Sequence, residues 1–116
     1  MALVRGKLAD IQTVAATVGS IYANPASTKT YIRGIVLHNT NTTAEIVELH
    51  NVPDSAGSLG TAAATNKFLR VSVAANDTVT VDLAYPLVLT DTNDSIQAVT
   101  TTVSKVTIML QGDKDV

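Results

Sequence analysis

Two stretches of strict alternation constrain this chain more than any other feature. Leu69, Val71 and Val73 alternate with Phe68, Arg70 and Ser72, and Val79, Val81 and Leu83 alternate with Thr78, Thr80 and Asp82. Successive side chains of a β-strand point to opposite faces, so a period of two buries one face and wets the other. A helix would scatter the same apolar residues around its circumference. Val and Thr strengthen the reading, because branching at Cβ favours extended backbone and packs well on a pleated surface. Between the two runs lies Ala74-Ala75-Asn76-Asp77, and Asn and Asp tolerate the conformations of a tight turn. With both apolar sets on one core, a hairpin here sets Val73 opposite Val79, Val71 opposite Val81 and Leu69 opposite Leu83, around an odd-length loop centred on Asn76. A slip of one residue would turn Val79, Val81 and Leu83 to water.

The first half reads as a second hairpin, from residues 31–38 through a polar turn at 39–43 to residues 44–51. Val36 then opposes Val47, with Gly34 near Leu49 and His38 near Glu45. The other face carries Tyr31, Arg33, Ile35 and Leu37 against Ala44, Ile46, Glu48 and His50. Apolar side chains on both faces suit a strand that is covered twice or packed at an oligomer interface. Gly34 in mid-strand points to a bulge or a close backbone approach. Shorter strands are expected at 4–10, 17–23, 87–89, 95–100 and 105–111. Only Ile11, Val14, Ala15 and Val18 match helical spacing.

Seven to eight short strands at even spacing give an all-β fold, a single small antiparallel β-sandwich of jelly-roll or immunoglobulin-like type. The 116 residues make one domain, 1–116, long enough to hide roughly two-thirds of its unfolded surface. Residues 1–5 read equally as an N-terminal arm or a frayed end, 53–66 as a long, mobile, small-residue loop of the kind that often binds something, and 112–116 as a flexible tail.

Composition then narrows the function. The chain has no cysteine, which excludes disulfides and thiolate metal sites. A net charge of −2 and scattered basic residues speak against nucleic acid, which calls for a basic patch and stacking aromatics. No apolar run approaches the roughly 18–20 residues needed to span a bilayer, so no membrane is expected as a partner. Residues 1–7 lack the apolar stretch of a signal peptide, so synthesis and use in the cytoplasm are expected. The Asn-x-Ser/Thr triplets at Asn41, Asn76 and Asn93 then read as turn chemistry.

Candidate chemical sites are few. His38 and His50 point to opposite faces in this register, so they cannot share a metal, and a third ligand is missing. His38 reads as a strand-end polar group near Glu45, and His50 as a surface residue. Residues 91–94 carry oxygen ligands but lack the length, the central Gly and the closing Glu of a calcium loop. Glu45 and Glu48 lie three apart in a strand, on opposite faces, and cannot act as paired acids. No Ser sits in a Gly-x-Ser-x-Gly elbow, and residues 57–60 are not followed by the Gly-Lys-Ser/Thr of a phosphate loop. No catalytic residue, cofactor or metal is implied, and the chain reads as non-enzymatic.

The order of segments resembles that of small tail, head-decoration and other virion proteins of tailed bacteriophages. The residues that carry the likeness are Gly6-Lys7-Leu8-Ala9, Ile21-Tyr22-Ala23-Asn24-Pro25, Ile35-Val36-Leu37-His38-Asn39-Thr40 and Ala74-Ala75-Asn76-Asp77-Thr78, followed by segments 89–98 and 105–110. The loop at 53–66 is longer than the family's. The resemblance implies a capsid cement protein of the virion, assembled in the host cytoplasm. It would be a homotrimer that bridges copies of the major capsid protein. A tail or neck adaptor is one alternative. A carbohydrate- or small-ligand-binding sandwich module is another; it calls for exposed aromatics, and Tyr22, Tyr31, Tyr85 and Phe68 are the only ones, most of them needed for packing. The contact surface expected for such a subunit is the arm residues Leu3, Val4 and Arg5, together with Tyr31 and Arg33.

Overall fold

Strands form where the β-branched and alternating segments lie, in a computed structural model that describes residues 3–116. They are β1 (Leu3–Thr13), β2 (Gly19–Ala23), β3 (Lys29–Asn39), β4 (Glu45–Val52), β5 (Lys67–Val73), β6 (Thr78–Leu89), β7 (Ser95–Thr100) and β8 (Val106–Asp115). One 3-10 turn, Ala64–Asn66, is the sole helical element among the described residues. Of the residues at helical spacing, Ile11 lies in β1 and the other three in the link to β2. Tertiary pairing overrides that short pattern.

Two four-stranded sheets face each other, ordered β1-β8-β3-β6 and β2-β7-β4-β5, with every pairing antiparallel. The chain crosses between sheets at each connection except β4 to β5, which is the strand order of a jelly roll. Ile32, Ile35, Leu37, Leu89, Ile108 and Leu110 of the first sheet meet Val47, Leu49, Val73, Ile96 and Ala98 of the second in a dry core. Burying each of the larger side chains stabilises the fold by about 1.5–3 kcal/mol before chain entropy is counted.

Both expected hairpins have the right strands and the wrong partners. β5 pairs with β4, and β6 pairs with β3, so residues 69–73 and 79–83 face each other across the sandwich instead of side by side. Their apolar faces do point to one core, where Val73 is buried and Leu69, Val71, Val79, Val81 and Leu83 pack against it. The turn between them carries the strand-to-strand crossing, with Asn76 at φ 56° and Asp77 N–H donating to Ala74 O at 3.1 Å. β3 and β4 likewise lie in different sheets, so Val36 faces outward while Val47 faces the core. Buried Asn39 stitches this second crossing by donating from Nδ2 to Thr43 O and Val73 O. A bulge does sit at Gly34, between the registers Ile32–Gly112 and Gly34–Gln111.

Three boundary expectations change. Leu3, Val4 and Arg5 are no separate arm: they pair with Asp115, Lys114 and Asp113 as the start of β1, while Met1 and Ala2 lie outside the described residues. The tail from 112 is strand as far as Asp115 and sits between β1 and β3. The loop at 53–66 is pinned by Gln97 Nε2 on Gly60 O (3.0 Å), Asn93 Nδ2 on Gly57 O (2.8 Å) and Asp54 N–H on the Asp94 carboxylate (2.8 Å). Gly60 also sits so tightly that a Cβ there would lie 2.5 Å from Pro53 O. Residues 87–89 are the far end of β6, past an arch in which 83–86 oppose Arg33 alone. Tyr85 stands near the crest of that arch, 91% exposed.

Candidate functional site

The closest concentration of charge lies on the outer face of the first sheet, where β1, β8 and β3 run side by side. Arg5 and Tyr31 flank Asp113 in register, and the bulge brings Arg33 to the same side. By alternation from inward Leu110, Asp113 points away from the core, yet it has no exposed surface. Its Oδ1 accepts from Arg5 Nε at 2.9 Å and its Oδ2 from Arg33 Nε at 2.8 Å. Hydrogen bonds from Arg33 and then Arg5, helped by their charge, hold the Asp113 carboxyl below the usual carboxylate range against the opposing effect of burial. One carboxylate thus ties three strands together.

Glycine makes this geometry possible. A Cβ on Gly112 would lie 1.9 Å from Tyr31 O, so only glycine lets β3 approach β8 this closely beside the bulge. Beside the ion cluster runs an open groove of about 490 Å³, bounded by Arg5, Lys7, Arg33, Asp82, Met109 and Gln111, with Gly34 and Gly112 in its lining. A second hollow of about 390 Å³ lies between Leu3, Tyr31, Arg33, Asp113 and Asp115. Of the five residues expected at a contact surface, the structure therefore gathers Leu3, Arg5, Tyr31 and Arg33 at one end of one face. Val4 alternates to the other side of β1 and is half exposed.

Elsewhere the polar groups serve the fold. His38 does not neighbour Glu45, which lies in the other sheet; its Nδ1 is 2.8 Å from Thr78 Oγ1 on β6. His50 is buried, not a surface residue. Its Nδ1 lies 3.1 Å from both Ala63 O and Asn66 Oδ1, two acceptors, which assigns the proton to that nitrogen and ties the 53–66 loop to β4. Glu45 points inward, where burial raises its pKa. Hydrogen bonds from Asn41, from Thr102 and from Thr100 outweigh that and leave it lowered. Glu48 faces outward to Lys67 Nζ at 2.8 Å, whose hydrogen bond lowers its pKa. In the turn at 91–94, both oxygens of Asp94 accept backbone N–H groups. Among the described residues no three His, Cys, Asp or Glu side chains are grouped to hold a metal. Tyr22 is buried and bonded to Thr30, and Tyr31 and Phe68 are half-buried, so Tyr85 alone presents a free ring.

Sequence reading missed Asp113, because residues 111–115 look like a polar tail. The pair of mid-strand glycines, Gly34 and Gly112, was the available signal of close strand approach.

No protein-family model matches the chain, and no curated protein matches it in sequence. Its fold is similar to the solved structure of Bacillus endospore appendages, described as a family of disulfide-linked pili. The TM-score is 0.54 at 20% identity, over 97% of this chain and 87% of that one. At that identity the likeness shows the fold. It also overturns the expectation of a bacteriophage capsid cement protein, since the same fold serves a bacterial appendage. The physical reason is plain: the segments that carried the phage resemblance are strands and turns, and any jelly roll with this strand order places strands and turns there.

Proposed function

We propose that the chain is a non-enzymatic structural subunit that associates with copies of itself into a fibre of the appendage type. The observation that carries this reading is that, of the nine large exposed apolar side chains among the described residues, all but Tyr85 on the β6 arch lie toward the two ends of a body 45 Å long. Ile11, Val18 and Val103 lie at the end formed by the β1–β2 and β7–β8 connections. Leu3, Val4, Leu59, Val88 and Val116 lie toward the opposite end, with the start of β1, the end of β8 and the 53–66 loop. Two unlike ends that meet head to tail make a heterologous contact, which propagates as a filament when the rotation does not close. The solved appendage of the same fold supports the reading. Its links are disulfides, whereas this chain has no cysteine, so no disulfide joins its copies.

Electron microscopy and sedimentation of the purified protein test this. Fibres or a concentration-dependent series of oligomers are expected, unaffected by reductant and dissolved by mild denaturant. Val103→Asp, at a position outside the core, should prevent assembly while leaving the melting temperature unchanged. A protein that stays monomeric at concentrations up to ~1 mM, where contacts of only about 4 kcal/mol are already half occupied, overturns the proposal.

A further inference from the structure

The groove beside Asp113 has a property that holding the strands together does not require. Each guanidinium has five N–H donors. Among the described residues, Arg5 and Arg33 each use only Nε, and both spend it on the same carboxylate. Their remaining donors are held on a rigid sheet with no acceptor assigned to them, and the arginine side chains are 78% and 51% exposed. Around the groove Arg5 and Arg33 stand against Asp113 and Asp82, while the charge of Lys7 is offset by Asp10. Lys7 is already paired with Asp10 at 2.6 Å, so the free donors belong to the two arginines. Gly34 lies in the groove lining without crowding, since even a Cβ there would only touch Gln111 Oε1 at 3.9 Å, and Met109 adds an apolar wall.

From these features we infer that the groove is a carboxylate-binding site. It takes a singly charged carboxylate on a short aliphatic stem. The planar fork of a guanidinium matches a carboxylate in two parallel hydrogen bonds, and an arginine already fixed by Asp113 loses little freedom on binding. A singly charged acid meets the least repulsion from Asp82 across the groove, and a dianion would double it. The stem lies along Met109 and the glycine-lined part of the groove. Two sources carry this chemistry: a free small acid, or an acidic side chain or chain terminus of a second copy.

Titration with butyrate, followed by ¹H–¹⁵N spectra of the arginine Nε–H groups and of the Gly34 and Gly112 amides, tests the site. Sodium chloride at matched ionic strength is the reference. Saturable shifts with butyrate, weakened at least tenfold in both Arg5→Gln and Arg33→Gln and unchanged in Lys67→Gln, establish it. No saturable shift beyond that of chloride overturns it, as do shifts that persist in both arginine variants. Melting curves confirm that the variants are folded. Butyrate added during sedimentation separates the sources: dissociation of oligomers identifies the second copy as the natural occupant, and an undisturbed sedimentation profile identifies a free acid. The site titrates whether or not the chain forms fibres, so its failure and that of the fibre reading are distinguishable.

Discussion

Replacing Gly112 by alanine tests whether the Asp113 site rests on close approach of β3 to β8. The new Cβ would lie 1.9 Å from Tyr31 O and 3.0 Å from Tyr31 C. A relaxed carbon–oxygen contact is about 3.3 Å, so β3 and β8 must separate by roughly 1.4 Å, in a ladder whose strands normally stand about 4.8 Å apart. Backbone atoms are in the way, and no side-chain rotation relieves the clash. The bonded pair of residues nearest the methyl group opens, leaving two buried backbone groups short of partners at about 1–3 kcal/mol each. Overpacking of the neighbouring Leu8 side chain, whose Cδ1 would be 3.1 Å away, adds to this. The sum is at least about 3 kcal/mol, out of a total stability of about 5–15 kcal/mol for a domain of ordinary stability. Thermal unfolding followed by circular dichroism should then show a melting temperature lower by at least about 12 °C. Gly19→Ala is the control. No atom lies within 4 Å of its Cβ and its φ is ordinary, so its melting temperature should stay within a few degrees of the parent. If Gly112→Ala also melts within 3 °C of the parent, the close approach is not what shapes this site.

Other expectations follow from the buried carboxylates and the pinned loop. The folded-state pKa of Asp113 is lowered from 3.8, so its stabilisation is complete above that unfolded value and is lost as pH falls through the lower folded one. Melting temperature should therefore decline on acidification below about pH 4, and Asp113→Asn should flatten that decline; an unchanged acid slope would refute the role given to the ion cluster. Glu45→Ala leaves Thr102 N–H and Asn41 Nδ2 without their acceptor and should cost about 2–4 kcal/mol in urea unfolding, with Glu45→Gln costing less. His50→Ala removes the donor that holds Ala63 O and Asn66 Oδ1. Limited proteolysis within 53–66 should become several-fold faster at a nearly unchanged melting temperature, and equal cleavage rates would show that the loop is held by other bonds.

The outcome at β5 and β6 shows what alternation can and cannot specify. Leu69, Val71, Val73, Val79, Val81 and Leu83 all face the core as the period of two required, and the turn uses Asn76 at positive φ as its chemistry suggested. The same faces would be buried whether these strands lay side by side or opposite one another. Local pattern therefore decides facing, while the crossing connections decide pairing, and those depend on residues far away such as Asn39 reaching Val73 O. The candidate site was half legible for a similar reason. Leu3, Arg5, Tyr31 and Arg33 were singled out for apolar grip and charge, but what assembles them is Asp113, 80 residues beyond Arg33 and 108 beyond Arg5. Nothing local distinguishes that aspartate from the acidic residue two places on. The loop at 53–66 is held by Asn93 and Gln97, 36 and 37 residues away in sequence, so its small-residue composition suggested freedom that long-range hydrogen bonds remove.

The absence of cysteine sets a quantitative demand on assembly. In the proposed fibre no disulfide joins the copies, so each contact relies on area and complementarity, which for a specific interface means about 800 Å² per partner. The chain exposes 6064 Å², so two unlike end contacts would take roughly a quarter of the surface. That is compatible with apolar groups spread over both ends, and it leaves the outer face of the first sheet uncovered between them. A groove on that face, with its arginines already fixed by Asp113, can then bind a carboxylate without competing with the end contacts, or can add a lateral contact to them. The two cases differ in one observable, because in the second alone does a soluble carboxylate thin or dissolve the fibres.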